Sequence, residues 1–485
     1  MDIRKLKPER VWNHFYSLTQ IPRPSKKEEK AVLFLEKFGN DLGLETIKDE
    51  LGNIIIRKPA SPGMKNRKGI ILQAHIDMVP QKNSDKVHDF EEDPIETKIV
   101  DEWVYAKGTT LGADNGLGVA LAMAVLEDKA MVHGPIEALF TIDEETGMTG
   151  ARGLKPGILK GDILINLDSE DEGELYVGCA GGLDANVIFK YTEERVRAGY
   201  EGYKLSITGL KGGHSGMDII LGRGNANKVM VRILLPLITE LHARLALVEG
   251  GSLRNALPRE AFATLAVPSS TVARAQEIVK EQFGYIKSEL AAHEPDLKIV
   301  LEKCDTPDTI IDNITALNMV KAVYACPNGV ERMSDAMPGL VETSNNLAIV
   351  KSGDGIIEVN TLMRSSVDSA KEAYATSIQC VFELAGAEVK LTGGYPGWQP
   401  DMDSDILKTM KVVYKDLYGN EPEVKAIHAG LECGILGGTY TNWDMISCGP
   451  TIRSPHSPDE RVNIATVEKW WKYMVEVLKN APVKK

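Results

Sequence analysis

Five short stretches of the sequence place acids or a histidine where an apolar run stops or a loop stiffens. In ILQAHIDMVP, His75 and Asp77 stand two apart, so an extended chain puts them on one face. A buried carboxylate needs a compensating partner, and a carboxylate beside an imidazole is the usual way to fix the tautomer of a metal-binding histidine. GTTLGADNGLGVALAMAVLED puts Asp114 at the start of an apolar helix, where a carboxylate can cap free N–H groups. Gly112, Gly116 and Gly118 around it permit a close backbone approach that a cap alone does not require. FTIDEETGMTGARGL carries Glu144 and Glu145 directly after a strand. Adjacent glutamates can point apart, one to bind a metal and the other to move a proton. ILINLDSEDEGELYVG ends a strand in Asp168, after which Glu170, Asp171, Glu172 and Glu174 read as a solvated acidic turn. GPTIRSPHSPDERV holds His456 between prolines, in a loop stiff enough to lower the entropy lost on binding.

Each stretch alone has a plainer reading, as a core hydrogen-bonded pair, a helix cap or a surface loop. Together they offer two histidines and three carboxylates with no thiolate, a set suited to Zn²⁺, with Mn²⁺ or Co²⁺ as substitutes. Five donors exceed one tetrahedral site and suffice for two ions about 3.5–4 Å apart if one carboxylate bridges. Composition leaves the bridging residue open.

These groups need a scaffold that brings them together. Over residues 1–186, strand-like segments (GNIIIRK, GIILQAHID, IEALFTID, DILINLD) alternate with turns and helical stretches, the pattern of an α/β sheet with buried strands. Ligands in open α/β sheets collect beyond the carboxyl ends of strands, so the acidic strand ends are expected on one rim. Residues 187–393 read as an inserted α+β domain with two similar halves, and GGYPGWQPDMDSD as the linker back. Residues 394–485 resume the α/β pattern.

The chain has 485 residues, 43% hydrophobic and 26% charged, with a formal charge of −13. Its length suggests two to four domains on a prior of about 150 residues each. The acidic balance argues against a nucleic-acid partner. The sequence shows no signal-like apolar core and no apolar run of membrane-spanning length. Six cysteines without paired spacing fit reduced thiols, so a cytoplasmic protein with no membrane partner is expected.

The ordered elements HID, GADNG, DEETG, NLDSE and SPHSPDE resemble the co-catalytic zinc peptidases, a family of dipeptidases, aminoacylases and glutamate carboxypeptidases. The resemblance runs over essentially the whole chain. It implies an α/β catalytic domain, a mixed sheet flanked by helices, with an inserted α+β lid made of two ferredoxin-like halves. It implies two zinc ions per chain, with Asp114 bridging, His75 and Asp168 completing one site, and Glu145 and His456 the other. Asp77 would orient His75, Glu144 would be the general base, and the peptide after Asp114 would be cis. In the lid, the resemblance makes His214 of GGHSG the group that polarises the scissile carbonyl. Asn255 of SLRNALP and Arg364 of NTLMRSS would hold substrate, Arg364 by its planar fork on a free carboxylate. Gly430 and Glu432 of HAGLECG are expected on the substrate side. The implied substrate is a small peptide, best a dipeptide ending in histidine, including β-alanyl-histidine. A broader dipeptidase, tripeptidase or aminoacylase is the alternative on the same scaffold, and a non-catalytic binding protein the alternative of another class. A homodimer is neither required nor forbidden by a doubled lid.

Overall fold

The computed structural model describes residues 2–484. The chain forms two compact units: Met1–Gly178 with Pro400–Ala426 and Leu431–Lys485, and Cys179–Gln399 with Ile427–Gly430.

The first unit is built on the hydrophobic strands foreseen above. Ile70–His75 and Ile136–Thr141 are buried at every position, as is Ile163–Asn166. Strands covered on both faces read as continuous apolar runs because neither side meets water. They are parallel neighbours in the order 136–141, 70–75, 163–166, with Ile70 in register with both Ile136 and Ile163. Common register and direction send the three acidic tails out at the same edge. Asp444–Ser447 joins in parallel beside Ile163–Asn166, and antiparallel strands complete an eight-stranded mixed sheet. Helix Ala113–Glu127 is buried on nearly all sides, which its almost wholly apolar sequence demands.

The second unit holds a nine-stranded sheet that resolves into two β-α-β-β-α-β halves. In one half, strands Lys298–Cys304, Tyr200–Thr208, Ala261–Pro268 and Arg244–Gly250 lie side by side, with helices Ala226–Thr239 and Val272–Glu289. In the other, the order is Val341–Gly353, Ile356–Ser365, Gly181–Lys190, Glu388–Tyr395, with helices Asn313–Ala325 and Asp368–Leu384. Both halves show the ferredoxin-like strand order. The first is nested inside the second: Gly181–Lys190 opens the second half, and the whole first half intervenes before that half continues. The halves join where Glu249 and Gly250 pair with Lys351 and Val350.

Two expected boundaries move. The second unit begins at Cys179 and not at residue 187, because Gly181–Lys190 pairs with Ile356–Ser365 and Glu388–Tyr395. The chain returns to the first unit at Pro400 and not at 394, and residues 427–430 join the second unit. Their carbonyls at Ile427 and Ala429 both accept from the Ala180 N–H. The acidic turn is also not solvated. Glu172 accepts from Tyr414 Oη at 2.7 Å and from Lys469, and Glu174 pairs with Lys425 and Tyr176. Among the described residues, no cysteine forms a disulfide. Among the described residues, no helix is long and apolar enough to cross a membrane.

Candidate metal centre and catalytic groups

His75 ends its strand, and Asp77 lies just beyond it. Nδ1 of His75 is 3.3 Å from Asp77 Oδ1 and 3.2 Å from the Asp77 carbonyl, so Nε2 is turned toward the carboxylates. It lies 3.1 Å from Asp114 Oδ1 and 3.4 Å from Asp168 Oδ1. His456 Nε2 lies 3.2 Å from Asp114 Oδ2 and 3.0 Å from Glu145 Oε2. The two oxygens of Asp114 therefore face different imidazoles, and each imidazole faces a second carboxylate.

Donors about 2.1 Å from a tetrahedral ion stand about 3.4 Å from one another, close to these four separations. Glu145 Oε1 is buried with no hydrogen-bond partner. Hydrogen bonds to Asp114 and Glu145 hold His456 up to about 11, so positive charge is favoured at that spot. Burial, aided by the charges of Asp114 and Glu145 against the pull of His75, pushes Asp168 up to about 7. Nitrogen and oxygen donors in a negatively charged cluster, largely buried except at the exposed His456, fit a pair of divalent cations.

The sharp entry to helix Ala113–Glu127 orients these groups. The Asp114–Asn115 peptide is cis. Asn115 Nδ2 donates to the Leu167 carbonyl at 2.9 Å and to Asp168 Oδ1. Asp77, fully buried, accepts the backbone N–H groups of Glu144 at 3.0 Å and Glu145 at 3.2 Å, and the Ser25 hydroxyl at 2.8 Å. Burial alone would raise the Asp77 carboxyl, but His75 and these donors hold it down to about 2. Burial, with Asp168, Glu432 and Glu145 nearby, pushes Glu144 well above the ordinary carboxylate range despite His75. A carboxylate so placed can carry a proton near neutral pH.

Glu432 and Gly430, neighbours in HAGLECG, part company. Glu432 starts helix Glu432–Thr439 in the first unit, where Oε2 accepts from Gln73 Nε2 at 2.5 Å and Thr141 Oγ1 at 2.9 Å. Its partners lie on the strands that carry His75 and precede Glu144. Gly430 belongs to the second unit, where an added Cβ would stand 3.1 Å from the Tyr395 ring.

The second unit also holds His214, Asn255 and Arg364. The backbone N–H groups of Gly216 and Met217 donate to His214 Nδ1 at 3.2 and 3.1 Å. Nδ1 is thus the acceptor, and the neutral ring carries its proton on Nε2. Burial and Arg364 lower its pKa, which keeps it neutral. Arg364, buried, donates to Tyr395 Oη at 3.0 Å and Ser215 Oγ at 3.3 Å. Asn255 is exposed, and its carbonyl accepts the Ser215 N–H at 2.8 Å. Ser25, Tyr395 and Ser215 went unread in the sequence, since no local pattern sets one hydroxyl apart from its neighbours; Asn115 was expected only as the residue after the cis peptide, not as a donor to Asp168.

An aspartate shared between two imidazole–carboxylate pairs, with Glu144 close enough to feel the charges of His75, Asp168 and Glu145, is an arrangement suited to a metal-dependent hydrolase. More narrowly, it is a metallopeptidase: residues 71–480 match the model of peptidase family M20/M25/M40, and the chain belongs to that family. It is 46% identical over 483 residues to the cytosol non-specific dipeptidase of Escherichia coli (strain K12), covering 100% of both chains. The crystal structure of aminoacylhistidine dipeptidase from Vibrio alginolyticus is 48% identical, covers 100% of this chain and 99% of that one, and superposes with a TM-score of 0.95. Aminopeptidase PepT from Bacillus cereus ATCC 10987, 18% identical with a TM-score of 0.62 over 98% of this chain and 99% of that one, shares the fold.

Proposed function

We propose that this peptidase hydrolyses dipeptides in the cytoplasm, those ending in histidine among them, using two zinc ions. Asp114 would bridge them, with His75 and Asp168 on one and Glu145 and His456 on the other. The observation that carries this reading is the division of Asp114's two oxygens between His75 and His456. Bound there, the cations would supply Lewis acidity, which lowers the pKa of water towards neutrality.

The remaining work falls to the chain's own groups. Asp77 holds the proton of His75 on Nδ1, which frees Nε2 as a ligand. Glu144 takes a proton from the attacking water and returns it to the leaving amine. His214, with Nδ1 engaged by two N–H groups, is assigned to donate from Nε2 to the carbonyl oxygen as charge develops there. One such donor is worth roughly 3–4 kcal/mol in the transition state. Arg364 is assigned to the substrate's carboxylate, and Asn255, Gly430 and Glu432 to the substrate's surroundings.

The names of the two similar dipeptidases point to histidine-ending and to general dipeptides, so breadth of specificity is the matter to measure. After zinc reconstitution, Ala-His, β-Ala-His, Leu-Gly, a tripeptide and an N-acetyl amino acid are compared by kcat/KM. Hydrolysis of Ala-His with little turnover of the last two is the expected outcome. No turnover of any Xaa-His dipeptide would reject the reading.

A further inference from the structure

Two buried charged side chains, Arg23 and Glu460, grip the loop that presents Asp114, and neither is a candidate ligand. Glu460 spreads its oxygens over four consecutive backbone N–H groups. Oε2 accepts from Leu111 at 2.6 Å and Gly112 at 2.9 Å, and Oε1 from Ala113 at 2.7 Å and Asp114 at 3.2 Å. Arg23 Nη2 donates to the Gly112 carbonyl at 2.6 Å, while Nη1 donates to the carbonyls of Ile76 at 2.7 Å and Asp77 at 3.1 Å. Arg23 thereby ties the segment leaving His75 to the segment entering Asp114. Glu460, four residues after His456, ties the third loop to the same point.

The glycines of LGADNG acquire a reason here. A Cβ on Gly112 would stand 2.6 Å from Arg23 Nη2, and one on Gly116 2.5 Å from it. Both positions are bare so that a guanidinium can lie against the backbone. Burial pulls Arg23 down to about 10, with the fields of Glu460, Asp77, Asp114 and Glu145 opposing. Burying two ions is costly unless their hydrogen bonds are well made; both Glu460 oxygens and both Arg23 Nη atoms make theirs with main-chain groups, while Arg23 Nε is left without a partner. What they secure is backbone position.

We infer that Arg23 and Glu460 are positioning residues, an ionic frame that sets Asp114 relative to His75 and His456 and so the affinity of the paired cation positions. This rests on the two-cation reading above. The test titrates Co²⁺ into chelator-treated wild type, Glu460→Gln and Arg23→Lys, following the visible d–d absorption and the number of ions bound. Melting of each metal-free form is recorded alongside. Wild type should take up two ions. The variants should bind at least one ion 10–100-fold more weakly, the range for removing a group that orients a metal ligand, with an altered spectrum.

If Glu460→Gln is not recovered folded, Glu460→Asp replaces it, with the charge kept, the reach shortened and the same criteria applied. Unchanged affinity and spectrum in the folded variants overturn the frame while leaving the two-cation reading intact. So does a lowered melting point with unchanged Co²⁺ binding, the mark of a merely structural role. Fewer than two ions on wild type overturn both.

Discussion

Asp77 accepts the backbone N–H of Glu144 at 3.0 Å with the same carboxylate that faces His75 Nδ1. One buried side chain therefore fixes both the tautomer of a proposed ligand and the turn bearing the proposed base. Asp77→Asn keeps one acceptor oxygen and replaces the other with an N–H₂ group, which opposes the donors it must receive. The expected loss is about 10–100-fold in metal affinity, accompanied by a fall in kcat/KM that added zinc only partly restores. Metal-binding titration and steady-state kinetics on the variant check it.

Glu144→Gln separates binding from proton transfer. The ligand set is untouched, so bound zinc should equal that of wild type, while kcat falls by about 10²–10⁴-fold. Metal analysis of the purified variant beside its turnover number decides the matter. Near-wild-type turnover would remove Glu144 from the mechanism.

Gly116→Ala probes the space held open for Arg23. The new Cβ would sit 2.5 Å from Arg23 Nη2 and 3.1 Å from the Phe15 ring, and the guanidinium is pinned by its carbonyl partners. A destabilisation of about 1–3 kcal/mol is expected for such overpacking, read as a lower urea midpoint.

His428 supplies a pH test in the second unit, which holds none of the proposed metal ligands. Burial, with Arg364 nearby, pushes its imidazole down to about 3, while Ser344 Oγ lies 2.7 Å from Nε2. An unfolded histidine titrates near about 6.5. Below that pH the unfolded chain takes up a proton that the folded chain refuses. Stability is therefore lost as pH falls from about 6.5 towards about 3, by at most about 1.4 kcal/mol per pH unit. His428→Asn should flatten this part of the slope when urea midpoints at about pH 7 and about pH 5 are compared.

The five proposed ligands could be picked out as candidates because each stands where an apolar run stops or begins or a loop is braced by proline. Their rim followed from parallel strands of common register. Arg23 was not legible: between two prolines and ahead of Lys26 and Lys27 it reads as a surface cation. Its partners are carbonyls 53 to 89 positions away, and backbone acceptors leave no mark in a sequence. Glu460 lies inside the SPHSPDE motif, but nothing local sets it apart, since its four partners lie more than 340 positions earlier. The nesting of the ferredoxin-like halves was hidden for the same reason. Gly181–Lys190 follows the catalytic strands directly in sequence, and only its pairing with Ile356–Ser365 assigns it to the second unit. Glu172 and Glu174 misled by composition, because tyrosine and lysine partners from distant helices and strands convert an acidic turn into a paired one.

The central claim, that peptide hydrolysis depends on a pair of cations sharing Asp114, is tested most directly by titrating zinc into chelator-treated enzyme during Ala-His hydrolysis. The account predicts no turnover without metal and a rise that levels off at two equivalents per chain. Turnover by the metal-free protein, or a plateau at one equivalent, would contradict it.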